Sequence, residues 1–131
     1  MERKTIGKSK EDYLKAILVV LKEHGACRNA DVSGRLGVSK SSTCIAIKKL
    51  EQDGFVVRDE WRVLLTEKGK NLAEKLYERE MFFSSWFKQI GVSEKTAERD
   101  ACMIEHAISE ETYSKLKNYI ADKRLRISAN A

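Results

Sequence analysis

Glycines divide this sequence into helical segments, and proline is absent from all 131 residues. Gly25, Gly37, Gly54 and Gly91 each follow a stretch in which apolar residues recur every three or four positions. Glycine is favoured just beyond the last turn of a helix, where the backbone takes a left-handed conformation. Because proline interrupts helices, its absence together with this spacing predicts a mainly α-helical fold.

Polar residues before the apolar stretches predict where the helices begin. Serine, threonine and asparagine side chains accept hydrogen bonds from the first N–H groups of a helix. The predicted helices span about 10–24 after Ser9, 29–36 capped by Asn29, 40–53 after Ser39, Thr66 to about Ile90, 94–107 after Ser93 and 110–125 after Ser109. Asp12 is the predicted partner of Ser9 in a capping box, and Ala30 is assigned to the inner face of the second helix. The tail from 125 to 131 is expected to fray.

Between the third and fourth helices the pattern changes to two short β-prone runs. These are residues 55–58 and 62–65, separated by Asp59-Glu60-Trp61. No Asn-Gly or Asp-Gly turn signal supports the hairpin, so its prediction rests on the two runs. Two short helices joined through Gly37 and followed by a hairpin are typical of a winged helix-turn-helix. We therefore predict such a domain over residues 1–70 and a helical domain over residues 71–131.

The excess positive charge lies entirely in the first half of the chain. Residues 1–70 contain 15 Lys and Arg against 10 Asp and Glu, whereas residues 71–131 contain 10 of each. A basic segment joined to a neutral one suggests that the first segment contacts a polyanion. A solvated basic surface without a partner is the alternative interpretation of the same charge.

The third helix and the hairpin carry residues suited to DNA. A recognition helix places its N-terminal turn in the major groove, where hydroxyl and lysine side chains bond to phosphates and base edges. The candidate DNA-binding residues are Ser39, Lys40, Ser41, Ser42, Cys44, Lys48, Lys49, Arg58 and Arg62. Ile45 lies off the apolar stripe and is placed to pack on a thymine methyl group, unless the helix phase differs by one residue and Ile45 is core. In the alternative interpretation the serines only cap the helix and the lysines are solvated.

Cys102, Glu105 and His106 have the i, i+3 and i+4 spacing that puts side chains on one face of the fifth helix. A thiolate, a carboxylate and an imidazole are good ligands for first-row transition metals, whereas calcium and magnesium prefer all-oxygen sites. One helix leaves the site incomplete, and Asp12 and Glu80 are candidate partners. The alternative is that Glu105 and His106 form a solvated pair beside a small core cysteine.

Several other classes of protein are not expected. No apolar run approaches the ~20 residues of a membrane span, and no secretory signal follows the charged N-terminus. Three scattered cysteines do not form a disulfide framework, so a reducing cytoplasm is the expected compartment. An enzyme is not expected, since there is no Ser/His/Asp set, no glycine-rich phosphate loop and no HExxH helix.

Five segments of the chain, within about residues 9–120, resemble the diphtheria toxin repressor family of iron- and manganese-dependent transcription regulators. They are Glu-Asp-Tyr-Leu at 11–14, the helix-turn-helix run at 30–56, Leu-Thr-Glu-Lys-Gly-Lys at 65–70, Ile-Gly-Val at 90–92 and Ala-Cys-Met-Ile-Glu-His at 101–106. The most specific is the Cys-x-x-Glu-His run after a winged helix. The resemblance implies a mainly α fold, in which an N-terminal winged helix-turn-helix precedes a helical metal-binding and dimerisation domain.

The resemblance also implies which residues hold the metal. By position, the ligands are Asp12, Cys102, Glu105 and His106 in a primary site and Glu80 and Glu98 in an ancillary one. Ser84 stands where the ancillary site requires a carboxylate, and Lys15 stands where the manganese-responsive members have a ligating glutamate. Cys102 matches the iron-responsive members. The expected cofactor is therefore Fe2+, with Mn2+ second and with Zn2+, Co2+ or Ni2+ binding in vitro.

The function implied by the resemblance is sequence-specific repression of metal homeostasis genes, with the divalent metal as corepressor and a palindromic double-stranded operator as target. Helices four to six would form a homodimer through apolar residues Phe82, Phe83, Trp86, Phe87, Met103 and Tyr113, unless these belong to the core. No SH3-like domain, as found in the larger members, is expected after the sixth helix. The alternative function is a metal-independent winged-helix regulator that responds to an organic ligand or a partner protein.

Overall fold

The computed structural model describes the backbone of residues 9–130 and the side chains of residues 9–123. The elements are α1 (Lys10–His24), α2 (Asn29–Leu36), α3 (Lys40–Gln52), β1 (Val56–Asp59), β2 (Arg62–Leu65), α4 (Glu67–Gln89), α5 (Glu94–Ile104) and α6 (Glu110–Asn130). They form two compact units, the first ending at Tyr77 and the second beginning at Glu78, within α4. None of the described helices is long and apolar enough to cross a membrane. The predicted mainly α fold is confirmed.

α1 is the central helix of the first unit. Leu14 and Ile17 have no exposed surface, because α1 contacts α2, α3 and β2. Val32, Ile47 and Val63 from those three elements are fully buried in the same cluster. Burying an aliphatic side chain of this size contributes roughly 1.5–3 kcal/mol. The helix-turn-helix is therefore a packed scaffold that holds its outer face in place.

The helix starts of the first unit follow the predicted caps except at α2. Ser9 Oγ accepts from the Asp12 N–H (3.2 Å) and the Asp12 carboxylate accepts from the Ser9 N–H (3.0 Å), as the capping box predicts. The N-cap of α2 is Arg28 and not Asn29. The prediction was wrong because the Asp31 carboxylate accepts from the Arg28 N–H (2.9 Å) and satisfies the helix start from within the first turn.

α2 also buries fewer residues than predicted. Val32 and Ser33 are buried and Leu36 is half-buried, but Ala30 is exposed. Each residue advances about 100° around a helix, so Ala30 lies nearly opposite Val32. The assignment of Ala30 to the inner face was therefore wrong.

β1 and β2 form the predicted antiparallel hairpin. The pairing closes at Asp59 and Arg62, so that only Glu60 and Trp61 make the turn. Glu60 has a φ of 58°, a left-handed conformation that is uncommon for residues other than glycine. The first strand begins at Val56, one residue later than predicted, because the preceding N–H donates to the last turn of α3 (2.9 Å).

α4 begins at a close approach to the residue before the hairpin. The Thr66 hydroxyl donates to the Gly54 carbonyl (2.7 Å) and accepts from the Gly69 N–H (3.1 Å), which confirms Thr66 as the cap. A β-carbon at Gly69 would lie 2.9 Å from the carbonyl carbon of Phe55 and closer still to its oxygen. Packed atoms do not approach so closely, so this helical position requires glycine.

Aromatic side chains form the core of the second unit. Phe83 is fully buried, and its ring centroid lies 5.1 Å from that of Phe82 and 6.0 Å from that of Tyr113. Ala101 of α5 has no exposed surface and belongs to the same cluster. Phe83 and Tyr113 are thus intramolecular core, whereas Met103 remains 38% exposed.

Two helix ends of the second unit differ from the predictions. α4 ends at Gln89, within one residue of the predicted end at about Ile90, but α6 continues to Asn130 where a frayed tail was predicted; residue 131 lies outside the described residues. α5 ends at Ile104, before the predicted end at 107. The Ala107 N–H donates to the Ile104 carbonyl (3.0 Å). The chain tightens there into a turn that does not continue the α-helix.

Candidate metal centre and nucleic-acid interface

α3 has two chemically different faces. Thr43, Ile47 and Leu50 are buried in the first unit. All of the predicted DNA-binding residues of this segment are exposed, namely Ser39, Lys40, Ser41, Ser42, Cys44, Lys48 and Lys49. Ile45 is 70% exposed, so it lies on the outer face and the alternative that it is core is wrong. The helix phase inferred from the sequence is confirmed.

Hydroxyl groups organise the exposed start of α3. Ser39 Oγ accepts from the Ser42 N–H (3.0 Å), donates to Ser42 Oγ (2.9 Å) and lies 3.2 Å from Ser41 Oγ. The Thr43 hydroxyl donates to the Ser39 carbonyl (3.1 Å). These bonds hold the hydroxyls beside the helix N-terminus, where partial positive charge attracts anions. The arrangement suits a backbone phosphate of a nucleic acid.

The wing carries two exposed arginines. Arg58 donates to Asn29 Oδ1 (2.6 Å), which directs it towards the start of α2. Arg62 lies beside the half-exposed indole of Trp61, with its guanidinium carbon 5.3 Å from the ring centroid. Stacking on an aromatic ring orders a guanidinium and leaves N–H groups to bind phosphate. The sequence analysis identified the two arginines but not the roles of Asn29 and Trp61 in orienting them. No spacing pattern in the sequence indicates which neighbour a surface arginine contacts.

The second unit brings three metal-ligating side chains together. One ligand atom from each of Cys102, Glu105 and His106 lies within 4.8 Å of the others. His106 Nε2 is 3.3 Å from Glu105 Oε1. Glu105 is only 1% exposed, and the His106 side chain is 25% exposed. Glu105 is therefore not the solvated residue of the alternative interpretation.

Glu105 and His106 lie at the end of α5 and not within it, contrary to the prediction. The Glu105 N–H still donates to the Ala101 carbonyl (3.2 Å), which extends the helical spacing past Ile104. The three side chains consequently share one side of the chain, as the i, i+3 and i+4 spacing predicted.

The donor set fits a single transition-metal ion. Ligand atoms bonded to one such ion at about 2.0–2.3 Å lie within about 4.4 Å of one another, close to the 4.8 Å limit of this cluster. A thiolate and an imidazole suit Fe2+, Co2+ or Zn2+, whereas Ca2+ and Mg2+ require oxygen ligands. The residues present thus fit the divalent transition metal that the resemblance implies.

The remaining predicted ligands are distributed over both units. Asp12 belongs to the first unit, where its Oδ2 accepts from the Ser9 hydroxyl (3.1 Å). Glu98 of α5 is exposed, and its carboxylate lies 3.3 Å from the Lys88 ammonium of α4. Glu80 is half-buried on α4. Neither Glu80 nor Glu98 belongs to the three-ligand cluster, and the ancillary site stays a prediction.

The three cysteines differ in environment. Cys27 is buried, and desolvation, with the nearby Asp31 carboxylate adding to it, raises the pKa of its thiol to about 11. Cys44 is exposed and Cys102 is half-buried. Metals and electrophiles react with the thiolate. Cys27 is therefore an inert core residue.

Comparison with known proteins covers both units. A family model described as "Iron dependent repressor, N-terminal DNA binding domain" matches residues 5–62. A second, described as "Iron dependent repressor, metal binding and dimerisation domain", matches residues 66–124.

Individual relatives are similar over most of the chain. The transcriptional regulator MntR of Escherichia coli O6:H1 is 37% identical over 103 residues, which are 78% of this chain and 66% of that protein. The HTH-type transcriptional regulator MntR of Geobacillus thermodenitrificans is 31% identical over 125 residues, 92% of this chain and 89% of the relative. The crystal structure of the metal-dependent transcriptional regulator MtsR is 28% identical with a TM-score of 0.77, covering 86% of this chain and 54% of that one.

These similarities extend across the winged helix, with its exposed recognition helix, and the unit that holds the thiol, carboxylate and imidazole. Members of the matched family are transcriptional regulators and not enzymes. The chain belongs to the diphtheria toxin repressor family of metal-dependent transcription regulators.

Proposed function

We propose that this chain is a metal-activated transcriptional repressor that binds double-stranded DNA as a homodimer. The observation that carries the proposal is the cluster of Cys102, Glu105 and His106 in a unit that follows an exposed recognition helix. Asp12, at the position of a family ligand, is the fourth member of the metal site. The regulated genes are those of metal homeostasis.

The bound metal is proposed to activate DNA binding by restraining the orientation of one unit relative to the other. A divalent cation supplies the attraction that holds a thiolate, an imidazole and two carboxylates together. Asp12 lies in the first unit and Glu105 and His106 lie in the second, so ligation by all of them limits the orientations of the DNA-binding unit. A ligand that binds the DNA-competent state better shifts the population towards it, and by linkage DNA raises metal affinity by the same factor.

The dimer is proposed to form through the second unit. Exposed apolar side chains there supply contact area for a partner, namely Met81, Ile90, Met103 and Tyr119. Two recognition helices reach successive major grooves when they lie about 34–36 Å apart. The operator is therefore a two-fold symmetric, palindromic site.

Fe2+ is the proposed physiological metal, and Mn2+ is the competing candidate. Sites with nitrogen, oxygen and sulfur ligands bind Fe2+ more tightly than Mn2+, and the Cys102 thiolate favours the softer metal. Zn2+, Co2+ and Ni2+ are expected to bind the same residues in vitro. The protein acts in the cytoplasm, where reducing conditions keep Cys102 a thiol.

Selection of random duplex DNA by the purified protein tests the proposal. The selection is run anaerobically with Fe2+, with Mn2+ and with a chelator. Enrichment of a symmetric site only with metal supports a metal-activated dimer and ranks the two metals. Equal enrichment with chelator indicates a metal-independent regulator that responds to an organic ligand or a partner protein. No enrichment under any condition contradicts DNA binding.

The two histidines of the chain provide a matched pair of variants for the metal site. His106→Ala removes a proposed ligand, whereas His24→Ala removes a side chain that is 68% exposed in the first unit. We expect His106→Ala to lose the metal stimulation of DNA binding while keeping the far-ultraviolet circular dichroism of the metal-free protein. His24→Ala should respond to metal like the wild type. If His106→Ala is stimulated to the same extent as His24→Ala, the ligand assignment is wrong.

A further inference from the structure

Arg79 of α4 is buried against the segment that carries two of the proposed metal ligands. Its side chain is only 10% exposed. Its two hydrogen-bond acceptors lie 29 and 31 positions further along the chain. No local pattern in the sequence indicates this contact.

The contacts of Arg79 join α4 to the connection between α5 and α6, residues 105–109, and to the first turn of α6. Nη1 donates to the Ile108 carbonyl (3.0 Å), and Nη2 donates to the Glu110 carboxylate (2.7 Å). The guanidinium carbon also lies 4.9 Å from the centroid of the Tyr113 ring. Because the guanidinium is planar and rigid, bonds from both of its terminal nitrogens fix the two acceptors relative to each other.

This connection begins with Glu105 and His106. It contains a tight turn, in which the N–H groups of Ala107 and Ile108 both donate to the Ile104 carbonyl (3.0 and 3.2 Å). α5 fixes the start of the turn and Arg79 fixes its end. The backbone that carries the two ligands is thereby held at both sides. Loss of groups that orient metal ligands typically lowers metal affinity by about 10–100-fold.

Stability alone is a poor explanation for a buried arginine at this position. Arg79 Nε is buried without a hydrogen-bond partner within the part of the chain that the structure describes. A buried guanidinium with an unsatisfied donor costs free energy, and an apolar side chain of similar volume is often equally or more stabilising. The hydrogen bonds of Arg79 to Ile108 and Glu110 fix the position of the chain that follows the proposed ligands, which an apolar residue could not do.

We propose that Arg79 is a positioning residue that holds Glu105 and His106 in metal-binding geometry. The inference rests on the proposed metal site. It implies that a substitution of Arg79 weakens metal binding and alters the coordination geometry while the unit stays folded.

Anaerobic titration with Co2+, followed by optical absorption, measures both properties. The thiolate-to-Co2+ charge-transfer band reports on Cys102, and the d–d bands report on coordination geometry. Arg79→Lys keeps the charge but not the planar fork, and Arg79→Met keeps the length without donors. Lys117→Met is the matched control, because Lys117 forms an ion pair with Glu78 (2.7 Å) in the same unit.

We expect both Arg79 variants to bind Co2+ about 10–100-fold more weakly than wild type and to show altered d–d bands. Lys117→Met should keep the wild-type affinity and spectrum. Circular dichroism and melting of the metal-free proteins check the fold. Glu110→Gln, at a side chain 57% exposed, weakens the same contact without emptying the core and should lower the affinity several-fold.

Three results decide between the metal site and the positioning role of Arg79. If the wild type binds Co2+ and the folded Arg79 and Glu110 variants bind it equally well, the positioning role is overturned and the metal site stands. If the wild type itself does not bind Co2+, the proposed function fails. A loss of affinity in Lys117→Met as large as in the Arg79 variants assigns the effect to general destabilisation and also overturns the inference.

Discussion

Replacing Gly69 by alanine should destabilise the first unit, although alanine is the better helix former. Helix propensity alone favours alanine over glycine by about 1 kcal/mol. The added β-carbon would lie 2.9 Å from the carbonyl carbon of Phe55 and 3.2 Å from its Cα, whereas nonbonded carbon atoms prefer about 3.5–4.0 Å. The distance from the β-carbon to the Phe55 oxygen would be shorter still, so the start of α4 and the residue before β1 must move apart by at least about 1 Å.

The size of the effect follows from the contacts that this movement disturbs. Overpacking of this kind costs about 1–3 kcal/mol. The Phe55 carbonyl also accepts from the Thr66 N–H (3.1 Å), and weakening that bond costs up to about 1 kcal/mol. Because the β-carbon would lie closest of all to the Phe55 oxygen, the overpacking cost falls at the upper end of its range, about 3 kcal/mol. After the gain of about 1 kcal/mol in helix propensity is subtracted, we expect Gly69→Ala to lower the free energy of unfolding by about 2–3 kcal/mol.

Urea denaturation of the metal-free protein, followed by circular dichroism, measures this change. Gly34→Ala is the matched control, because its β-carbon would meet no atom within 4 Å on helix α2. That variant should be more stable than wild type by up to about 1 kcal/mol. If Gly69→Ala is as stable as wild type, or gains stability as Gly34→Ala does, the close approach of α4 to Phe55 is refuted.

Three further predictions concern an ion pair, the thiols and the DNA face. The hydrogen bond from Lys117 holds the pKa of the Glu78 carboxyl below its ordinary value. The resulting stabilisation is present above the ordinary carboxyl pKa of about 4.3 and is lost as the pH falls through the lowered folded value. Glu78→Gln should therefore reduce stability at pH 7 by less than about 1 kcal/mol, since the pair is half-exposed, and urea titrations should show the difference shrinking below pH ~4; a constant difference would contradict the ionic origin. A thiol reagent at pH ~8 should label the exposed Cys44 of the native protein but label Cys27, whose pKa is raised to about 11, only after unfolding. Equal native labelling of both thiols in mass spectra would refute the burial of Cys27. Ile45→Ala should change stability by no more than about 0.5 kcal/mol, because Ile45 is 70% exposed, yet weaken binding to a selected operator in fluorescence anisotropy. Unchanged operator affinity would remove Ile45 from the interface.

Local interactions explain why much of the fold was predictable. Ser9 and Ser39 each bond to an N–H group three residues further on, and Gly25 takes the left-handed conformation that ends α1. Such signals lie within one turn of the residue that they affect. The bounds of α1 and α3 accordingly agree with the prediction to within one residue.

The helix bounds were predicted wrongly where a neighbouring group formed a hydrogen bond that the residue pattern does not indicate. Asn29 has the chemistry of an N-cap, but the Asp31 carboxylate bonds to the Arg28 N–H and places the cap one residue earlier. α5 ends at Ile104, where the Ala107 N–H bonds to the Ile104 carbonyl in a turn tighter than the α-helix. Apolar spacing continues through both places and does not indicate the change.

The sequence by itself determined which side chains lie on one side of a helix. It favoured the outer face of α3 for Ile45, which the structure confirmed, and it put Cys102 and His106 on one side of the chain, because both inferences depend on residue spacing. Tertiary structure alone decided that Arg79 bonds to Ile108 and that a glycine is required beside Phe55. These contacts join residues distant along the chain, and helical periodicity contains no information about which distant backbone atoms come together.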